Sequence, residues 1–183
     1  MLRPAVFLDR DGTLNVQIVR DGKPYPPATV EGFHLYPGAA EDCARLKAAG
    51  YLLIVATNQP DVGRGTQAQS VVEAMHAKLR EQIPTLDLIQ TCYHGGASHG
   101  QPCLCRKPAP GMLVDASRSL GIELRRSWMV GDRWGDIDAG HAAECHTIFI
   151  NRGYNERAPE RPPHFTVQSL TEAVAIILAH PLA

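Results

Sequence analysis

Asp9 and Asp11 stand two residues apart behind the apolar run Ala5-Val6-Phe7-Leu8, with Gly12 and Thr13 directly after them. In an extended strand, an i, i+2 pair projects to one side, and Gly12 permits the sharp turn by which both could face a common point. Two acidic groups held that close repel each other unless a cation or a shared proton lies between them. Asp-x-Asp-Gly alone also fits a polar strand end feeding a turn, and its company along the chain decides against that. Thr57 follows the apolar run 51–56, Asp132 and Asp136 follow Trp128-Met129-Val130, and Lys107 lies in Arg106-Lys107-Pro108. Four carboxylates converging at one point require compensation. A hard divalent cation with oxygen ligands, such as Mg²⁺, supplies it. Lys107 adds positive charge, and Thr57 offers a hydroxyl and a backbone N–H.

A second constellation is rich in cysteine. Cys92-x-His94 is followed, after residues 95–102, by Cys103-x-Cys105. The intervening residues hold three glycines and no large apolar side chain, so this loop has little core of its own and gains from a cross-link. Three thiolates and one imidazole form a closed tetrahedral set that favours structural Zn²⁺. His99 is the rival imidazole but lies mid-loop, without the paired spacing; three free thiols beside a histidine is the alternative. The five cysteines are an odd count, which in a reducing compartment argues for metal over disulfides. Cys43 and Cys145 read as buried packing, and His141 and His146 as structural.

Elements must bring these residues together. Strands are predicted at 5–8, 51–56, 86–92, 128–130 and 147–150, with an edge strand at 164–167. Helices are predicted at 37–49, at 66–82 with Thr66 as cap, at 110–121, at 135–143 and at 170–180, the last behind the capping box Ser169-x-x-Glu172. The Asp21-Gly22 turn between Gln17-Ile18-Val19 and Lys23-Pro24-Tyr25 predicts a hairpin flap. Alternating strands and helices imply βαβ crossovers, hence an α/β three-layer, Rossmann-like parallel sheet with helices on both faces. No repeat or linker interrupts 1–183, so one domain is expected. Ligands of such sheets sit beyond the carboxyl ends of the strands; Asp9, Thr57 and Asp132 each fall at such an end.

With 183 residues the chain can bury roughly 70% of its unfolded surface. A net charge of −1 gives no electrostatic case for nucleic acid or an anionic membrane. No apolar run is long enough to span a bilayer, and the N-terminus lacks a signal-peptide pattern. A cytoplasmic monomer acting on a small molecule is the expectation.

Phe7-Leu8-Asp9-Arg10-Asp11-Gly12-Thr13-Leu14-Asn15 resembles the first motif of the haloacid dehalogenase (HAD) superfamily of phosphatases. In this longer form it is similar to the heptose-bisphosphate and histidinol-phosphate phosphatase branch. Thr57, Lys107, Asp132 and Asp136 match the later motifs in order, Thr57-Asn58-Gln59 matches the branch's Thr-Asn-Gln, and the cysteine loop resembles the branch's zinc loop. The resemblance implies that Asp9 attacks phosphorus and becomes an aspartyl-phosphate, with Asp11 as general acid and then base. It implies Mg²⁺ held by Asp9, the Asp11 carbonyl and Asp132, with Asp136 direct or through water. The gaps between motifs leave no room for an inserted cap domain, so an open site suited to a small polar substrate is expected.

The implied activity is removal of the 7-phosphate of D-glycero-D-manno-heptose 1,7-bisphosphate or of a close sugar-phosphate relative. Asn58, Gln59, Arg106 and Arg133 are the expected substrate contacts. Arg106 and Arg133 are then surplus cations and Arg64 is a third, and such a surplus fits a second anionic group. Pairing of these arginines with carboxylates such as Asp136 is the alternative. Arg133 stands where the branch usually has lysine, and the flap is longer, proline-rich and lacks the branch's acidic-aromatic pattern. The other readings are a histidinol-phosphate phosphatase, a DNA 3′-phosphatase and a zinc-stabilised phosphate-binding module without catalysis. Neutral charge and the cysteine loop weigh against the DNA enzyme, and intact Asp9 and Asp11 against the binder.

Overall fold

The apolar run behind Asp9 forms β1 (Ala5–Leu8), all four residues of which are buried. In the computed structural model, which describes residues 2–181, β1 lies between β4 (Leu52–Asn58) and β6 (Trp128–Gly131) in a six-stranded sheet. The order is completed by β5 (Leu88–Cys92) beyond β4, and by β7 (His146–Ile150) and β8 (Phe165–Val167) beyond β6. Every pairing in this sheet is parallel. The chain runs outward from β1 through β4 and β5, then returns to the other side of β1 with β6. That reversal opens a crevice beyond the strand ends, where such sheets take their ligands.

Side-chain alternation along β1 feeds two cores. Val6 and Leu8 pack with α1 (Ala39–Ala48), α3 (Gln69–Gln82) and α6 (Leu170–Ala179) through Leu46, Leu79 and Ile177. Ala5 and Phe7 face the opposite layer with Met112, Leu113 and Ala116 of α4 (Gly111–Leu120). α5 (Trp134–Ala142) follows Asp132 and packs on β6 and β7. Outside the sheet, β2 (Ile18–Arg20) and β3 (Lys23–Tyr25) form the expected antiparallel hairpin, with Asp21 and Gly22 at positive φ in its turn. Among the described residues, no helix is long and apolar enough to cross a membrane.

Several boundaries differ from the sequence reading, each for a local reason. Thr66 does not cap the second long helix, because its hydroxyl donates to the Asp61 carbonyl; the short α2 (Pro60–Gly63) intervenes, and α3 opens behind Ala68. β5 begins at Leu88 rather than at residue 86, with the Asp87 carboxylate accepting from the Leu53 N–H and from Lys47. β4 runs through Thr57 and Asn58 instead of ending before them. Before α6, Ser169 Oγ accepts from the Glu172 N–H as a capping box requires, but the Glu172 carboxylate accepts from the Gln168 N–H.

Gly140 sets how closely α5 lies on the sheet. A Cβ there would come within 2.6 Å of Thr147 Cγ2 and 2.8 Å of Met129 Cβ. Gly140→Ala should therefore destabilise by about 1–3 kcal/mol through overpacking. Urea unfolding checks this: a lower midpoint at unchanged slope is expected, and an unchanged midpoint would show that the helix can lift without cost.

Candidate active site

Three carboxylates, two at strand ends and one in the first turn of α5, meet at the crevice. One oxygen each of Asp9, Asp132 and Asp136 lies within 4.8 Å of the others, and all three residues are buried. Lys107 lies among them: its Nζ donates to Asp9 Oδ1 at 2.8 Å and to the Ala56 carbonyl at 2.6 Å, and lies 2.7 Å from Asp136 Oδ1. Burial alone would lower the Lys107 pKa, but Asp136 and Asp9 together hold it above its ordinary value. Burial and the nearby Asp136 raise Asp9 to about 6 in spite of Lys107. Burial, Asp9 and Asp136 push Asp132 well above the carboxylate range.

One ammonium cannot neutralise three buried carboxylates. Asp132 Oδ2 accepts from Gln17 Nε2 and Tyr154 Oη, both at 2.8 Å, whereas its Oδ1 is buried without any partner. A buried carboxyl oxygen left bare beside two more carboxyl groups fits a hard divalent cation, whose charge would favour the ionised form. Asp136 is already engaged, by Lys107 on Oδ1 and by the Arg133 N–H on Oδ2 at 2.9 Å.

Asp11 does not share this point. It lies past the end of β1, in the turn, so the same-side rule for a strand no longer applies to it. Its carboxylate accepts from the Arg10 guanidinium, from Asn15 Nδ2 at 3.0 Å and from Gln59 Nε2 at 2.8 Å. Burial would raise its pKa, but Arg10 and the Asn15, Arg10 and Gln59 hydrogen bonds outweigh that and lower it. Arg10 is fully buried, with its guanidinium 5.6 Å from the Phe33 ring centroid.

The Thr-Asn-Gln motif also faces inward more than expected. Gln59 is buried and spends its amide on Asp11 and on Thr57 Oγ1, so it orders the site from behind instead of meeting a substrate. Thr57 is 1% exposed and does not line the cavity. Asn58 does line it, and its side chain brackets the Lys107 peptide, donating to the carbonyl at 3.0 Å and accepting from the N–H at 3.1 Å. The cavity measures about 560 Å³, and Lys23, Arg64, Arg106, Trp134 and Asn155 contribute to its walls. Arg133 is no spare cation: Glu156 takes its guanidinium, with Nε to Oε2 at 3.0 Å. The partner is thus Glu156 and not Asp136. Arg64 lies 3.4 Å from Asp61. Arg106 makes no such pair among the described residues, and donates to the His94 carbonyl at 3.4 Å.

The cysteine loop closes as its spacing implied. Cys92 Sγ lies 3.1 Å from Cys105 Sγ and 3.7 Å from Cys103 Sγ; His94 Nδ1 lies 3.2 Å from Cys105 Sγ and 3.5 Å from Cys92 Sγ. A tetrahedron of thiolates about 2.3 Å from a central ion has edges of about 3.8 Å, so the four donors fit such an ion with slight expansion. His99 points elsewhere, toward Ser98.

A HAD-hydrolase-like family model matches residues 104–173. The D-glycero-beta-D-manno-heptose-1,7-bisphosphate 7-phosphatase of Pseudomonas aeruginosa is 37% identical over 166 residues, 88% of this chain and 89% of its own. That of Escherichia coli K12 is 38% identical over 165 residues, 86% of this chain and 83% of its own. The chain belongs to the heptose-bisphosphate phosphatase family of HAD-like hydrolases. The solved D,D-heptose 1,7-bisphosphate phosphatase from B. bronchiseptica, complexed with magnesium and phosphate, is similar at TM-score 0.79 and 28% identity, over 96% of this chain and 98% of that one.

For this member of the heptose-bisphosphate phosphatase family, sequence reasoning missed the residues that hold the carboxylates: Arg10, Asn15, Gln17, Tyr154 and, through Arg133, Glu156. Arg10 had a signal, since a cation between two acidic motif residues has carboxylates within reach. Gln17, Tyr154 and Glu156 had none, because loop-to-loop contacts follow no period.

The raised pKa of Asp9 fixes the sign of a pH effect. Below about pH 6 Asp9 carries a proton that an incoming cation must displace, so Mg²⁺ affinity should fall as pH drops. Titration calorimetry at pH 5 and pH 7.5 should show binding weaker by about tenfold or more at the lower pH, with protons released. Equal affinities without proton release would contradict the protonated, buried Asp9.

Proposed function

We propose that this chain is a Mg²⁺-dependent phosphatase that removes the 7-phosphate of D-glycero-D-manno-heptose 1,7-bisphosphate, as its curated relatives are named to do. The observation that carries the reading is the Lys107 ammonium bonded to Asp9 beside the bare oxygen of Asp132, at the floor of a cavity with Arg106 in its wall. In this reading Asp9, bonded to Lys107 through Oδ1, presents its other oxygen to phosphorus, and Lys107 supplies positive charge beside the phosphoryl group. Attack forms the Asp9–phosphorus bond and breaks the bond from phosphorus to the sugar oxygen, to which Asp11 gives its proton. Asp11 then takes a proton from water, which attacks the aspartyl-phosphate and releases inorganic phosphate and Asp9. Because Asp11 rests as an anion turned toward Arg10 and Gln59, it must gain a proton and turn as substrate enters. Asp9, Asp132 and the Asp11 carbonyl would hold Mg²⁺, with Asp136 direct or through water, and the ion would supply charge against the transferring phosphoryl group.

Zn²⁺ in the Cys92, His94, Cys103 and Cys105 set is the structural metal of this reading. It fixes the loop immediately before Arg106 and Lys107. The five cysteines form no disulfide, which suits a reducing cytoplasm, and the chain is read as a monomer. Histidinol phosphate fits less well, since the wall carboxylates Glu156 and Asp61 are paired with Arg133 and Arg64.

Turnover on a panel of sugar mono- and bisphosphates and histidinol phosphate tests the reading. Asp9→Asn should fold and be inactive, and a preference for histidinol phosphate would replace the substrate. With Arg133 and Arg64 paired to Glu156 and Asp61, Arg106 is the arginine of the wall left for the distal phosphate, with Lys23 as a further wall cation. Arg106→Ala should narrow the bisphosphate's advantage in kcat/KM by roughly tenfold, the scale of one charge-assisted contact. Equal loss on mono- and bisphosphate would put Arg106 on the transferring group instead. Elemental analysis should find about one zinc per chain, lost in Cys103→Ser together with thermal stability.

A further inference from the structure

The two donors to Asp132 Oδ2 come from the two segments that frame the substrate cavity. Gln17 stands at the root of the β2–β3 flap, and Tyr154 lies in the loop between β7 and β8; each reaches Oδ2 at 2.8 Å. The segments are also joined at their tips, where the Asn155 N–H donates to the Gly22 carbonyl at 2.8 Å. Gly12 makes the convergence possible. A Cβ there would fall 1.9 Å from Asp132 Oδ2 and 2.5 Å from Gln17 Nε2, so only glycine leaves room for the contact. Arg152, in the same loop as Tyr154, donates from Nε to the Gly12 carbonyl at 3.0 Å and lies over the Tyr36 ring at 4.2 Å from its centroid. With Oδ2 fixed from both sides, Oδ1 is the oxygen left bare.

We propose that Gln17 and Tyr154 are positioning residues that aim Asp132 Oδ1 at the divalent cation, and that cation binding is thereby coupled to the seating of the flap and of the 151–157 loop. The proposal rests on the cation site of the preceding reading, and not on the identity of the sugar. A carboxylate held by two donors loses little orientational freedom when it binds a cation. The same two bonds are lost if the flap or the loop lifts away. Linkage then runs both ways: a cation that favours the aimed carboxylate favours the seated segments by the same factor.

Two measurements without substrate test it. The first is Mg²⁺ affinity by calorimetry in Gln17→Met and Tyr154→Phe, near-isosteric changes that remove one donor each. Each should weaken binding by about tenfold or more, the usual cost of losing a partner of a metal ligand. The second is tryptic cleavage after Arg20, which is exposed in the flap, whereas the Lys23-Pro24 bond resists trypsin. Mg²⁺ should slow cleavage at Arg20 in the native chain and do so less in both variants, at unchanged melting temperature and zinc content. Affinities within twofold of native, or cleavage indifferent to Mg²⁺ in the native chain, would overturn the coupling while leaving the cation site standing. A native chain that binds no Mg²⁺ would overturn the cation site itself and the coupling with it.

Discussion

A buried ammonium among carboxylates is the constraint on which the rest of the site depends. Lys107 has three N–H donors and spends all three, on Asp9, Asp136 and the Ala56 carbonyl. Taking three carboxylates out of water is tolerable only where opposite charge and hydrogen bonds meet them closely, and removing one partner of such a set typically costs about 3–5 kcal/mol. Lys107 itself belongs to a loop, so its position has to be borrowed. Asn58 at the end of β4 brackets its peptide on both sides, and Ala56 in the same strand receives its ammonium. A loop residue thereby acquires the precision of the sheet.

The same economy places each carboxylate. Asp9 and Asp132 follow neighbouring parallel strands directly, so their separation is set by strand spacing and register. Asp136 lies one turn into α5, where its Oδ2 takes the Arg133 N–H and so caps that helix as it faces Lys107. Gly131 accommodates this, since a Cβ there would lie 2.3 Å from Asp136 Oδ2. Charge placed this way leaves the phosphoryl pole with one ammonium and an unpartnered Asp132 oxygen. That imbalance makes the site selective for a cation and a dianionic ester together.

Lys107 and Asp136 were legible in the sequence only by their order and spacing after the apolar strands, whereas Asp9 and Asp132 were legible because their signal is local, an apolar strand followed at once by a charge. The parallel sheet was legible for the same reason. Thr66 was misread because its neighbourhood offers a competing acceptor, the Asp61 carbonyl, which no helix pattern reveals. The direction of the Asp11 side chain was misread because a spacing rule was carried three residues beyond the strand, where Arg10, Asn15 and Gln59 decide it. Arg133 was misread because its partner, Glu156, lies 23 residues further on in an irregular loop. Gln59 looked like a substrate contact for its place in a motif, yet burial commits its amide to Thr57 and Asp11.

The cavity walls follow different physics from its floor. The floor is covalently close to the sheet, whereas the walls come from segments with little core, each held by a local device. The cysteine loop gathers three thiols and an imidazole, and Gln101 ties it to α2 by donating to the Gly63 carbonyl at 3.1 Å. Trp134 lies under the Arg157 guanidinium, 3.5 Å from its ring centroid, and Arg157 is held in turn by Asp138. Flap and loop meet through Gly22 and Asn155. The separation between walls and floor is nevertheless incomplete, because Gln17 of the flap root and Tyr154 of the 151–157 loop both donate to the Asp132 carboxylate. A change in those two segments therefore reaches the floor chemistry as well as the choice of ester, whereas the Trp134–Arg157 and Gln101–Gly63 contacts touch neither Lys107 nor a floor carboxylate.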